Sequence, residues 1–374
     1  MEKRTIKIAG AGLAGLTAAI DLAKAGFRVI VYEKASQVGG HYRENPQMLP
    51  NWFTKEDVIE ELEKCGIKIN WLNKIEECEI NLVNQRIVIY GKNSPVGYTV
   101  LRGGLNSLEK SLASQAQSLG VEIITGSPIN PEIQEKNIDI IATGISQPIT
   151  VGYGRVYKGN FNPKKVKVFF NPNYTKGIGY GYLFPHSSSV ATVKISRPFE
   201  EKELDLKENF EKFKKNFLAD EIKEENFLYE FGTLRSFNVP KSAKQGKTLF
   251  VGEAAGFQDE LFRFGMRYAI ISGYLAAKSI SEDLDYDLLW RKRFLNEFRR
   301  TARVRRAFAD FKKQRFKGLP ENSEIYIDIE KFKKIWLSDW FNFLLQIYPV
   351  YKNLIFSKYF LNTFCKVAKK FNLI

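Results

Sequence analysis

The sequence predicts an α/β fold (α+β overall) opened by a Rossmann-like nucleotide-binding unit, and three observations carry that reading. Thr5-Ile6-Lys7-Ile8-Ala9 alternates as a half-buried strand does. A glycine-rich turn comes next, Gly10-Ala11-Gly12-Leu13-Ala14-Gly15, and Leu16 to Ala25 then reads as a helix ended by Gly26. A second strand runs from Phe27 to Tyr32 and stops at the acid Glu33, the whole unit spanning about 30 residues.

Each part has a chemical use. Gly10 permits the tight turn, Gly12 lets the backbone approach a pyrophosphate, and Gly15 lets the helix pack close to the sheet. The helix N-terminus offers unpaired N–H groups and a positive dipole end to phosphates. Glu33 is placed to accept hydrogen bonds from ribose hydroxyls, and an acid there disfavours a 2′-phosphate, which argues against NADP.

Composition bounds the rest. The 374 residues allow two or three domains at roughly 150 residues each. An apolar fraction of 44% and a charged fraction of 26% are globular values. Three Cys and two His exclude a disulfide scaffold and argue against a metal site. The basic start and the apolar stretch behind it are not read as a signal peptide, because the glycines keep motif spacing and the pattern runs on past Asp21 and Lys24. With no Gly-x-Ser-x-Gly elbow, hydrolase chemistry has no support. The Gly177, Gly179 and Gly181 spacing is wrong for a second dinucleotide motif, so a separate NADH domain is not expected.

Further glycine-rich segments follow Glu33. Gly39 and Gly40 form a pair, with Arg43 just after. Leu101-Arg102-Gly103-Gly104 precedes Leu105, Leu108, Leu112, Ala116 and Leu119 at helical spacing, then Gly120 and a strand at 121–124. Ile138 to Gly144 is an apolar strand ending in Ala-Thr-Gly. Thr248 to Phe257 contains Val251-Gly252-Glu253-Ala254-Ala255-Gly256, and Gly265-Met266 opens another apolar helix. Together these resemble the two-dinucleotide-binding-domain FAD-dependent oxidoreductases, which carry a Gly-Gly pair beside the FAD and a Val-Gly-Asp-Ala-Ala-Gly segment. The resemblance implies FAD held by Gly10, Gly12, Gly15, Glu33, Gly39, Gly40, Arg43, Arg102, Gly144, Gly252, Glu253, Gly265 and Met266. Three departures stand out: Glu253 replaces Asp, Glu260 occupies a Pro position, and Arg263 and Phe264 replace two glycines of a Gly-Gly-Gly run.

Gly177-Ile178-Gly179-Tyr180-Gly181-Tyr182-Leu183-Phe184-Pro185 narrows the resemblance. It is similar to the Tyr-x-Trp-x-Phe-Pro segment of the geranylgeranyl reductases, where it lines the substrate cavity. Tyr180, Tyr182 and Phe184 would share one strand face, and with Pro185 they are the expected substrate wall. His186 and His41 read as turn histidines without a catalytic role, and no catalytic residue is assigned.

The expected organisation is a discontinuous FAD-binding domain (1–60, 100–150, 245–285), a β-sheet substrate domain (61–99, 151–244) and a basic, aromatic C-terminal helical region (286–374). Residues 291–374 hold 20 Lys and Arg against 7 Asp and Glu, a net of +13 out of +15. Arg291 to Lys317 reads as a long basic helix. Phe332, Trp336, Trp340, Phe341 and Phe343 begin an aromatic stretch with interleaved lysines. That composition suits peripheral membrane contact at the inner face of a cytoplasmic protein. The competing readings are an apolar cap on the substrate cavity and, with no motif behind it, nucleic-acid binding. The expected function is reduction of carbon–carbon double bonds in a polyprenyl or other long-chain lipid by hydride from reduced flavin. The alternatives are a desaturase or oxidase, since the glycine pairs also resemble phytoene desaturases and amine oxidases, a monooxygenase, and a non-catalytic prenyl-lipid escort on the same fold. Substrate, electron donor and oligomeric state are not legible.

Overall fold

The computed structural model describes residues 4–346 apart from 41–42, 84, 130–136, 146, 176–178, 203–204, 315–322, 340 and 344–345. In chain order the strands are β1 (Thr5–Ala9), β2 (Arg28–Tyr32), β3 (Asn45–Pro50), β4 (Asn73–Ile75), β5 (Glu77–Asn81), β6 (Gln85–Tyr90), β7 (Gly97–Arg102), β8 (Glu122–Ile124), β9 (Ile140–Ile141), β10 (Thr150–Lys158), β11 (Lys165–Phe169), β12 (Gly181–Pro185), β13 (Val190–Pro198), β14 (Phe227–Arg235), β15 (Lys244–Gln245), β16 (Thr248–Phe250) and β17 (Ser323–Asp328). The helices are α1 (Leu13–Lys24), α2 (Val58–Glu63), α3 (Leu108–Ser118), α4 (Pro172–Thr175), α5 (Leu206–Phe217), α6 (Met266–Ser281), α7 (Tyr286–Gln314) and α8 (Ile329–Leu337).

The six-stranded sheet has the order β15-β16-β9-β1-β2-β8 and is parallel from β16 to β8. Strands buried on both faces read as apolar runs, and Ile6, Ile8, Val29, Val31 and Ile140 are all buried. α1 packs against α6 and α3 over this sheet in one continuous apolar core. The turn between β1 and α1 depends on Gly15: a Cβ there would lie 2.0 Å from the Gly10 carbonyl oxygen. α3 starts three residues later than its apolar pattern suggests. Ser107 caps it by accepting from the Lys110 N–H at 3.3 Å, and Leu105 sits in the preceding turn, 86% exposed.

The large sheet has the order β14-β10-β13-β12-β11-β5-β6-β17, and a small antiparallel sheet, β3-β7-β4, lies beside it. Alternation along β12 splits its side chains cleanly. Leu183 joins the core under α5, while Tyr182 and Phe184 face the opposite core with Met48, Trp52 and Phe262. One element departs from expectation: β17, in the region expected to be helical, adds to the large sheet parallel to β6. Its Ile325 and Ile327 alternate with Tyr326, a strand pattern only six residues long inside an otherwise basic region.

α7 is longer than the basic pattern suggests, beginning at Tyr286. Its buried face, Tyr286, Trp290, Phe294 and Phe298, joins the core around α1 and the six-stranded sheet. In α8, Trp336 is buried and stacks with Phe332 against Trp52 and Phe53. Phe332, Trp336 and Phe341 therefore pack on the core from outside, whereas Tyr326 and Phe343 are exposed. Trp340 and residues 347–374 lie outside the described residues. Among the described residues, no helix is long and apolar enough to cross a membrane.

Candidate functional site

A cavity of about 610 Å³ runs from the β1–α1 turn to the inner face of the large sheet. At its nucleotide end, Glu33 closes β2. One carboxylate oxygen accepts from the Ala11 N–H and the other from the Ala35 N–H, both at 2.9 Å. Each oxygen keeps acceptor capacity, because a carboxylate offers about four lone-pair directions. α1 opens on the cavity with no side-chain cap and no acid in its first turn. A Cβ added at Gly12 would meet nothing within 4 Å, so the turn leaves room where a phosphate would lie.

α6 repeats this arrangement. Gly265 gives it no side-chain cap, its first turn holds no acid, and Met266 lines the cavity. Two uncapped helix N-termini therefore point their unpaired N–H groups into one space. Between them Glu253 accepts from the Ser236 N–H at 2.9 Å, and burial pushes its carboxyl pKa up. Arg102 also lines the cavity, ion-paired with buried Glu109 and donating to Gln47 at 3.2 Å.

Of the sequence-predicted residues, Gly10, Gly12, Glu33, Gly39, Arg102, Gly144, Gly252, Glu253, Gly265, Met266, Tyr180, Tyr182 and Phe184 all line this cavity. Four do not. Gly15 is buried in the first turn of α1, and Gly40 sits over Gln37. Arg43 is exposed, with its guanidinium 5.9 Å over the Tyr229 ring. Pro185 is buried and offers its carbonyl to Asn73. The strand ladder turns Pro185 away because it alternates with Phe184. Gly177 and His41 lie outside the described residues. His186 is partly buried and shares a 2.8 Å hydrogen bond with Thr192, and burial lowers its pKa to about 4.

Tyr180, Tyr182 and Phe184 lie side by side along the cavity. Tyr182 and Phe184 stack at 4.2 Å, and the Tyr180 hydroxyl donates to the Phe262 carbonyl at 2.6 Å. Arg263 and Phe264 both reach the cavity. Arg263 holds φ at 60°, the left-handed conformation that a glycine adopts without cost. Its guanidinium lies 5.4 Å over the Tyr180 ring and donates to Ser196, and burial lowers its pKa to about 10. Asp259 holds that turn. Fully buried, its carboxylate accepts from the N–H groups of Leu261, Phe262 and Phe264, and burial raises its pKa to about 6.

Sequence reasoning missed Asp259, Lys194, Ser196 and Arg235. The last three line the cavity from β13 and β14. The one available signal was Lys194, a charge inside the apolar run of 190–195 on the same alternation as Ser196.

The comparisons agree with this geometry. The NAD(P)-binding Rossmann-like domain family matches residues 8–62. A search of the curated proteins finds no match to the chain. Among solved structures, a geranylgeranyl bacteriochlorophyll reductase-like protein from Thermoplasma acidophilum is 20% identical, with a TM-score of 0.68 over 82% of this chain and 88% of that one. A flavoprotein/dehydrogenase from Cytophaga hutchinsonii is 16% identical, with a TM-score of 0.64 over 99% of this chain and 100% of that one. A flavin-dependent brominase is 14% identical, with a TM-score of 0.56 over 99% and 100%. The fold is thus shared with these flavoproteins, a Rossmann-like unit beside a large β-sheet. It implies a flavin or nucleotide cofactor, and the two open helix ends, the room at Gly12 and the acceptor capacity of Glu33 fit an adenine dinucleotide.

Proposed function

We propose that this protein is an FAD-dependent oxidoreductase that reduces a carbon–carbon double bond in a long-chain, largely apolar substrate. One observation carries the reading: two uncapped helix N-termini, Glu33 and the stacked Tyr182–Phe184 wall open on one cavity. FAD, when bound, supplies hydride exchange. The N–H groups at Gly12 to Ala14 would hold the diphosphate, and Glu33 would accept from a ribose hydroxyl. The start of α6 would face the flavin ring with its positive end, favouring a ring that carries negative charge. Phe264, Met48 and the aromatic wall exclude water and offer an apolar chain a surface to cover. The likeness to a geranylgeranyl bacteriochlorophyll reductase-like protein supports the reductive direction.

A second reading, oxygenation of an aromatic acid, is favoured by the cationic side chains at the sheet end and by the likeness to 2-methyl-3-hydroxypyridine-5-carboxylic acid oxygenase. The deciding experiment starts from purified, flavin-loaded protein reduced anaerobically. Reoxidation by a polyprenyl lipid without oxygen supports the reductase. Reoxidation that requires oxygen and yields hydroxylated aromatic acid selects the second reading. Protein that takes up no flavin overturns both.

A further inference from the structure

The sheet end of the cavity holds a buried lysine to which the reductase reading gives no role. Lys194 lies on β13, opposite Tyr182 on one side of the ladder and Gly154 on the other. It is 8% exposed and lines the cavity. Gly152 makes room for its stem, because a Cβ there would lie 2.5 Å from Lys194 Cε. Its ammonium makes no hydrogen bond or ion pair among the described residues; its close neighbour is the Tyr182 ring, 5.6 Å away. Two more cations act on it, Arg235 from β14 and Arg263 from the left-handed turn, against one carboxylate, Glu253. Thr233 and Ser196 add hydroxyls on the same face.

An ammonium taken out of water without an anion is costly, and a group so placed tends to lose its proton. Burial and the two arginines do hold its pKa well below the usual lysine value, with Glu253 opposing. The arrangement becomes favourable once an anion enters: it would receive a charge-assisted hydrogen bond from Nζ and the fields of three cations.

We propose that Lys194, flanked by Arg235 and Arg263, seats the anionic end of the substrate, so that the substrate is an apolar chain or ring carrying a carboxylate or a similar oxyanion. This narrows the substrate class of the proposed oxidoreductase and rests on that reading for the word substrate. The anion seat itself stands on the cavity alone. The carboxylate would lie over Gly152 with its tail along Tyr182 and Phe184.

The test compares octanoate with octan-1-ol as probes, by calorimetric titration of the full chain at pH 7, as purified and after loading with FAD. Running each titration in two buffers of different ionisation enthalpy counts protons. Octanoate is expected to bind at least tenfold more tightly than octanol, with uptake of up to one proton. In Lys194→Met the preference should fall below twofold and the proton uptake should vanish, while octanol affinity is kept, which shows that the cavity is intact. Lys194→Arg should keep the preference. Equal binding of acid and alcohol by the wild type, or an undiminished preference in Lys194→Met, overturns the proposal. Protein that takes up no FAD yet prefers octanoate keeps the anion seat and loses the oxidoreductase reading.

Discussion

Glu33 is fixed before any ligand arrives, because the Ala11 and Ala35 N–H groups already hold one oxygen each. Glu33→Gln replaces one of those acceptors with a donor and removes the charge. Charge-assisted hydrogen bonds contribute about 1.5–3 kcal/mol, so FAD affinity should fall roughly 10- to 100-fold. Quenching of flavin fluorescence on titration of the unloaded protein measures it. His186 gives a prediction of a different kind. Its ordinary pKa is 6.5 and burial lowers it to about 4 in the folded chain. Between those values the unfolded chain binds the proton and the folded chain does not. Stability therefore falls as pH drops from 6.5 towards 4, by about 2–3 kcal/mol from this one group. His186→Gln keeps a partner for Thr192 and should remove that part of the slope. Urea unfolding at pH 7, 5.5 and 4.5 checks it; identical slopes in both proteins would refute the assignment.

The β1–α1 turn separates what a glycine does for folding from what it does for binding. At Gly15 a Cβ would collide with the Gly10 carbonyl oxygen and press on Ala142. Gly15→Ala should therefore cost about 1–3 kcal/mol in urea unfolding, the range of overpacked sites. At Gly12 a Cβ meets no protein atom but enters the cavity. Gly12→Val should leave the stability of the unloaded protein within about 0.5 kcal/mol, the size of neutral surface changes, yet abolish flavin uptake. The same turn shows why part of this fold can be read from sequence. Alternation at 5–9, glycines at fixed spacing and an acid at 33 are local patterns, and the strands and helix fall within a few residues of where they predict. The apolar faces of α3 and α6 are legible for the same reason. Lys194 and Asp259 are not, because their meaning is not local. Lys194 matters through Gly152 across the ladder and through Arg263, far along the chain. Asp259 matters because three N–H groups of its own loop fold back onto it. Arg43 misled because its spacing from the glycine pair says nothing of where the loop sends the side chain, which is over Tyr229.

Across the whole molecule, the basic arm is tied to the nucleotide domain by charge and by aromatic packing. Buried Arg267 on α6 pairs with Glu61 at 2.5 Å and Glu297 at 2.7 Å, and Arg293 of α7 joins the same two carboxylates. Arg300 donates to Asn342, and Arg305 pairs with Glu260 next to the Asp259 turn. Part of the positive charge that the composition assigns to the arm is therefore engaged inside the fold. The aromatic part obeys the same logic. Trp336 is 4% exposed, packs edge-on against Phe53 and stacks on Phe332, whose ring meets Trp52. Trp52 in turn touches Phe262 and Phe264, the second of which lines the cavity. The arm thus braces the wall of the site through four rings. If this segment were a membrane-facing surface, truncating its largest ring would leave the folded protein in solution unharmed. If it is a cap, Trp336→Ala opens a void in a buried cluster and should cost about 3–5 kcal/mol. It should also loosen Phe264 and weaken octanol binding severalfold, while flavin uptake at the far end of the cavity persists. Urea unfolding and the calorimetric titration decide it: unchanged stability in Trp336→Ala would remove the cap, and unchanged octanol binding would cut the link between arm and site.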